Sequence, residues 1–140
     1  MKRIFVDANV INDIYDANRP LHESSYQCLE YCMQEDIELL TSCDLVTTIY
    51  YITAKTQGRD KALEALDQIQ TVFQLVPFGN RELAAAIALM QANADYHDLD
   101  DTVQYVLAKQ AECAAILSND QRSVFKELAV FTSIDFPKSE

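Results

Sequence analysis

A chain of 140 residues that is 49% hydrophobic, with 2 Gly and 3 Pro, can bury one ordinary core and excludes low-complexity or disordered chain types. Its formal charge of −11, from 22 acids against 11 bases, excludes the broad basic footprint through which most nucleic-acid binders neutralise phosphate. No run approaches the roughly 20 apolar residues of a membrane span, and MKRIFVDANV is too short an apolar run for a signal peptide, so a single soluble, cytoplasmic domain over 1–140 is expected.

In chain order, Ile4-Phe5-Val6 reads as a first strand ending at Asp7. Val10, Ile11, Ile14 and Tyr15 then recur at helical spacing, up to a break at Asn18-Arg19-Pro20. A second helix runs from about Glu23 to Gln34, and Ile37 to Leu40 forms a second strand ending at Thr41-Ser42. Leu45, Val46, Ile49, Tyr50 and Ile52 mark a helix closed by Gly58, although its β-branched residues weaken the helical preference. Ala62, Leu63, Leu66 and Ile69 mark the next helix, and Val72 to Val76 a third strand stopped by Pro77 and Gly79.

Leu83, Ala86, Ile87 and Met90 form another amphipathic helix, and Val103, Val106, Leu107 and Gln110 the one after it. Ala114 to Leu117 is a fourth strand, followed by Ser118-Asn119-Asp120, a short helix and a last strand, Ala129-Val130-Phe131. Strands separated by helices pair in parallel through crossovers. The fold class is therefore α/β, with a central parallel sheet of about five strands.

The four cysteines, Cys28, Cys32, Cys43 and Cys113, have no CxxC spacing, and only two histidines, His22 and His97, could join them as ligands. Reduced thiols packed in or near the core are the expectation. Tyr50-Tyr51 is read as core packing in preference to a base-stacking platform. Arg19, Lys55, Arg59, Lys109 and Arg122 are scattered, and each reads as a solvated surface charge before a phosphate contact.

In open α/β sheets, ligands collect outside the carboxyl ends of the strands, where strand order reverses. Asp7 directly follows the first strand and Asp120 lies just past the fourth, so two carboxylates far apart in sequence can face one pocket. Asp98 and Asp101 are three residues apart at the start of a helix and share a face. Plainer roles exist for all four: Asp7 and Asp98 suit helix caps, Asp101 suits the helix dipole, and Asn119-Asp120 suits a turn. If the four converge, their repulsion favours a bound cation. Oxygen ligands without histidine or thiolate suit Mg²⁺ or Mn²⁺, which can activate water against a phosphodiester. Asn9 reads as a loop residue bonding backbone in the turn, and Ser118 as a strand end or an orienting hydroxyl for Asp120.

These residues together resemble a PIN domain, in particular the bacterial VapC-like toxin ribonucleases. Phe5-Val6-Asp7-Ala8-Asn9-Val10 is similar to the family's opening strand and D-x-N turn. Asn18-Arg19-Pro20 resembles the R-x-P or R-P element of one branch, and Thr41-Ser42 with Ile49-Tyr50-Tyr51 the strand end and helix that carry a second acid. Asp98 to Gln104 is similar to the D-[FL]-[ED]-D-A-[LV]-Q segment. Ile116 to Asp120, with Phe125 after it, resembles the I-[LV]-[TS]-x-[DN] strand end.

The resemblance implies a three-layer α/β/α fold and Asp7 and Asp101 as metal ligands. It further implies Asp98 and Asp120 as additional ligands or water-mediated holders, Ser118 as a supporting hydroxyl, and Mg²⁺ or Mn²⁺. An RNA substrate, a homodimer and an antitoxin that covers the pocket are also implied. One position departs from the pattern. Many members place a glutamate where this chain has Thr48, and Asp44, one helical turn earlier, is a possible substitute.

Two functions follow. The first is a metal-dependent endoribonuclease, the toxin of a toxin–antitoxin pair. The second is a catalytically weak or inactive PIN-like module that binds RNA or a protein partner, which Thr48 and the acidic charge favour. A HAD-type phosphatase, echoed by Asp7-Ala8-Asn9-Val10, fails because Asn9 cannot transfer the proton that such chemistry requires. A receiver domain fits no better.

Overall fold

The computed structural model describes residues 1–120 and 127–137. The helix expected between Asp120 and Ala129, together with Arg122 and Phe125, lies outside them. Among the described residues the elements are β1 (Arg3–Val6), α1 (Ala8–Ile14), α2 (His22–Gln34), β2 (Glu38–Ser42), α3 (Cys43–Gln57) and α4 (Arg59–Val72). They continue with β3 (Phe73–Val76), α5 (Asn80–Ala92), α6 (Leu99–Gln110), β4 (Ala115–Leu117) and β5 (Ala129–Phe131). No helix among these residues is long and apolar enough to cross a membrane.

The strands form one sheet in the order β3-β2-β1-β4-β5, with every pair parallel. Ile4, Phe5 and Val6 are all buried, so both faces of the central strand are covered. The helices pack as the pairs α1/α2, α3/α4 and α5/α6, one pair in each crossover before β4. The result is the expected α/β architecture with helices on both faces of a parallel sheet. α6 lies against β1 and β4 and is buried from Thr102 to Ala108, which is why its apolar pattern is nearly continuous.

Several expectations are corrected. Val72 ends α4, and the strand begins at Phe73. Tyr51 is 70% exposed, and Tyr50 beside it is only partly buried. α3 turns Leu45, Ile49 and Thr53 inward, and a residue two places from Ile49 must point away. Leu63, Leu83 and Ile87 are also exposed, because Ala62, Ala65 and Ile69 on α4 and Ala86 on α5 form the contact faces. Cys28, Cys32 and Cys113 are buried as expected, whereas Cys43, the first residue of α3, is exposed. Arg19 is not a solvated charge: its Nε lies 2.6 Å from Oδ1 of the buried Asp13.

Candidate active site

The chain builds outward from β1 to β2 and β3, then crosses to lay β4 and β5 on the other side. The switch falls between β1 and β4, whose carboxyl ends define a crevice. Asp7 sits in it. Its N–H donates to the Leu117 carbonyl at 2.9 Å, and its carboxylate caps α1 by accepting from the Ala8 N–H at 2.7 Å. Oδ1 also accepts from Gln104 Nε2 on α6 at 3.0 Å. Oδ2 accepts from Ser118 Oγ at 2.9 Å and from Asn9 Nδ2 at 3.1 Å. The residue is only 7% exposed. Burial pushes its carboxyl above the usual carboxylate range and Asp120 adds repulsion, while the bonds from Ser118, Gln104 and Ala8 pull the other way.

Asn9 belongs to the first turn of α1 and not to a loop. Its Oδ1 accepts from the Asn119 N–H at 3.0 Å, which leaves its amide nitrogen to face Asp7. Ser118 Oγ also accepts from the Asp120 N–H at 3.1 Å, tying Asp120 to Asp7 through Ser118. Behind them Asn119 acts as a four-way tie. Its Nδ2 donates to Asp13 Oδ2 at 2.6 Å and to Ser25 Oγ at 3.0 Å, and its Oδ1 accepts from the Ser133 N–H at 2.8 Å. The Arg19–Asp13 pair is thereby linked to the crevice wall.

The N-terminus of α6 contributes the remaining acids. Asp98 is the N-cap: its Oδ2 accepts from the Asp101 N–H at 2.9 Å and its carbonyl from Thr102 Oγ1 at 2.7 Å. Asp98 is exposed and bonded to its own helix, while Asp101 is half-buried. Asp100, outside the expected set of ligands, also feels the acids around the crevice. Burial, then repulsion from Asp7, Asp44, Asp101 and Asp98, pushes it up to about 6 although solvent reaches it. Asp100 and Gln104 are four apart and share the helix face that meets Asp7, a spacing readable in advance. A polar Gln in an otherwise apolar helical run was the available signal.

On the β2 side, Asp44 lies in the first turn of α3, and Thr48, one turn later, is exposed. Asp44 lies close enough to the α6 acids to repel Asp100. Oδ1 of Asp44 and Oγ of the fully buried Ser42 are both shielded from solvent and have no hydrogen-bond partner. Among the described residues, no three Asp, Glu, His or Cys side chains meet closely enough to hold an ion as they stand.

A family model for the PIN domain matches residues 3–122. The chain belongs to the PIN-domain family, as its motifs led one to expect. It is 40% identical over 135 residues to "Ribonuclease VapC1" of Aquifex aeolicus (strain VF5), an alignment covering 96% of this chain and 93% of the relative. Among solved structures, FitAcB from Neisseria gonorrhoeae matches with a TM-score of 0.70 at 22% identity, covering 95% of this chain and 99% of that one. VapBC2 from Rickettsia felis bound to a DNA fragment from its promoter matches with a TM-score of 0.71 at 12% identity, covering 93% and 98%. At these identities the two structures speak for the fold.

Proposed function

We propose that the chain is a cytoplasmic, divalent-metal-dependent endoribonuclease and the toxin of a toxin–antitoxin pair. The observation that carries this reading is the gathering of acids from β1, α3, α6 and the β4 end around the β1/β4 crevice, in a PIN chain 40% identical to a named ribonuclease. The donor set fits a hard cation: it is all oxygen, and a shielded carboxylate oxygen and a shielded hydroxyl stand without partners. Mg²⁺ or Mn²⁺, when bound, supplies an activated water and steadies the oxygen leaving the phosphodiester.

In this reading Asp7 and Asp101 hold the cation, and Asp98 and Asp120 support it directly or through water. Ser118, Asn9 and Gln104 orient the Asp7 carboxylate. Four donors already occupy the lone pairs of Asp7, so a ligating role requires one to yield. Asn9, at 3.1 Å, makes the longest of the four bonds. A cognate antitoxin covering the crevice is the protein partner implied, and a homodimer the assembly.

A Mn²⁺-dependent RNA cleavage assay tests the reading. The Asp7→Asn and Asp101→Asn variants should lose at least about a hundredfold in rate, the scale of a lost group in electrostatic catalysis, while remaining folded. Wild-type cleavage by either variant would remove that residue from the site. Thr48, standing where many family members place a glutamate, and the charge of −11 favour the second reading, a weak or inactive module that binds RNA or protein. A folded wild type that cuts no RNA with either metal would establish that alternative.

A further inference from the structure

We infer that Asp44, with the Ser42 hydroxyl beside it, supplies the acid on the β2 side of the cation pocket, in place of a carboxylate at position 48. The inference rests on the metal-pocket reading above and adds to it a specific pair of residues.

The placement follows from sheet register. β1 and β2 pair with Phe5 beside Leu40, and Thr41 Oγ1 donates to the Val6 carbonyl at 2.8 Å. Continuing that register by two places sets Ser42 beside Asp7, and neighbours at one level of a parallel sheet share a face. On the other side, Val6 pairs with Leu117, which brings Ser118 level with Asp7. Ser42, Asp7 and Ser118 therefore form a row along the carboxyl edge of β2, β1 and β4. Ser118 spends its hydroxyl on Asp7. Ser42, at 0% exposure, spends its Oγ on nothing.

Asp44 follows two residues later. An acid in the first turn of a helix has an ordinary role, favouring the helix dipole from a solvated position or by bonding free N–H groups. Asp44 Oδ1 does neither, since it is shut off from solvent and accepts no hydrogen bond. Leaving such an atom unmatched is costly, and more so for a charged group. An unmatched hydroxyl level with Asp7 and an unmatched carboxylate oxygen two residues on, in a side chain that repels Asp100, are what a hard cation would satisfy at once. Thr48 is exposed, and its side chain offers no charge in any case. A glutamate's longer side chain reaches inward from one turn further along α3, whereas the shorter aspartate must start closer to β2.

Calorimetric titration of MnCl₂ into the full-length, metal-free chain tests the assignment, with Asp44→Asn, Thr48→Ala and Asp7→Asn alongside. Asp44→Asn should weaken Mn²⁺ binding about tenfold or more, the scale of a lost ligand or its support, and Thr48→Ala should leave it unchanged. The rise in thermal midpoint on adding Mn²⁺ should vanish in Asp44→Asn, with the metal-free midpoint equal to or above wild type. That second readout separates a lost ligand from a misfolded variant. Wild-type affinity in Asp44→Asn, with binding lost in Asp7→Asn, overturns the role of Asp44 and leaves the pocket standing. A loss in Thr48→Ala as large as in Asp44→Asn also overturns it. A wild type that binds no Mn²⁺ overturns this inference and the metal-dependent reading together.

Discussion

Asp7 and Asp100 both hold their protons more tightly in the folded chain than in an unfolded one. For Asp100 the causes are burial and then the repulsion of Asp7, Asp44, Asp101 and Asp98, which move it from 3.8 to about 6. Between those values the folded protein keeps a proton that the unfolded chain has released. Stability of the metal-free protein should therefore fall as pH rises from about 4 through 6. Below that window the pH dependence disappears, because both states are protonated and the contribution is fully present. Asp100→Asn should flatten this part of the pH profile, measured as urea midpoints in metal-free buffer. An unchanged slope in the variant would show that Asp100 is not repelled as described. The direction is the reverse of the usual salt-bridged carboxylate, and a bound cation should reverse it again by favouring the charged forms.

At the scale of elements, one tie positions the site residues and one corner fixes how α3 meets α4. The Asn119 tie joins the β4 end, α1, α2 and the segment after β5, so that Asn9 and Ser118 both meet Oδ2 of Asp7. Gly58 joins α3 to α4 with no intervening residue, and its backbone lies at φ 92°, ψ 166°. This region is nearly closed to residues with a Cβ. A Cβ there meets no atom within 4 Å, so the backbone alone sets the cost of a substitution. Gly58→Ala should destabilise the fold by about 1–3 kcal/mol, read from urea unfolding. A neutral result would mean that the α3–α4 corner relaxes freely. The expected consequence for function is small, because Asp44 lies at the far end of α3.

Over the whole molecule, the charge of −11 and the exposed side chains of Tyr51, Ile52, Leu83 and Ile87 act against each other. Apolar side chains on the outer faces of α3 and α5 favour a second copy, while like charge opposes it. Salt screens charges beyond about 8–10 Å and leaves apolar burial intact. The proposed homodimer should therefore strengthen as NaCl is raised, in sedimentation velocity, and Tyr51→Glu should shift it toward monomer without lowering the thermal midpoint. A chain that stays monomeric at every salt concentration rejects the dimer. In the proposed function the same acidic surface would leave RNA binding to the crevice and the cation held there. Of the candidates, Arg19 is held by Asp13 and Lys109 by Glu127.

Local patterning determined the fold class. Short apolar runs ending at Asp7, Ser42 and Ser118, with helical spacing between them, leave little besides a parallel α/β sheet, because period and turn chemistry are properties of neighbouring residues. The order of motifs along the chain likewise announced the PIN family. Side-chain direction at the site was not legible in this way. Asp44 and Thr48 lie one turn apart on the same face of α3, and which of them stands level with the crevice depends on where α3 begins against β2. Whether Asp98 spends its carboxylate on a cap, and whether Asp100 meets Asp7, depends on how α6 docks on β1 and β4. Tyr51 shows the same limit, since an aromatic on a half-apolar helix can face either way until its neighbours choose. Periodicity says which residues share a face, but only packing against the rest of the chain decides where that face looks.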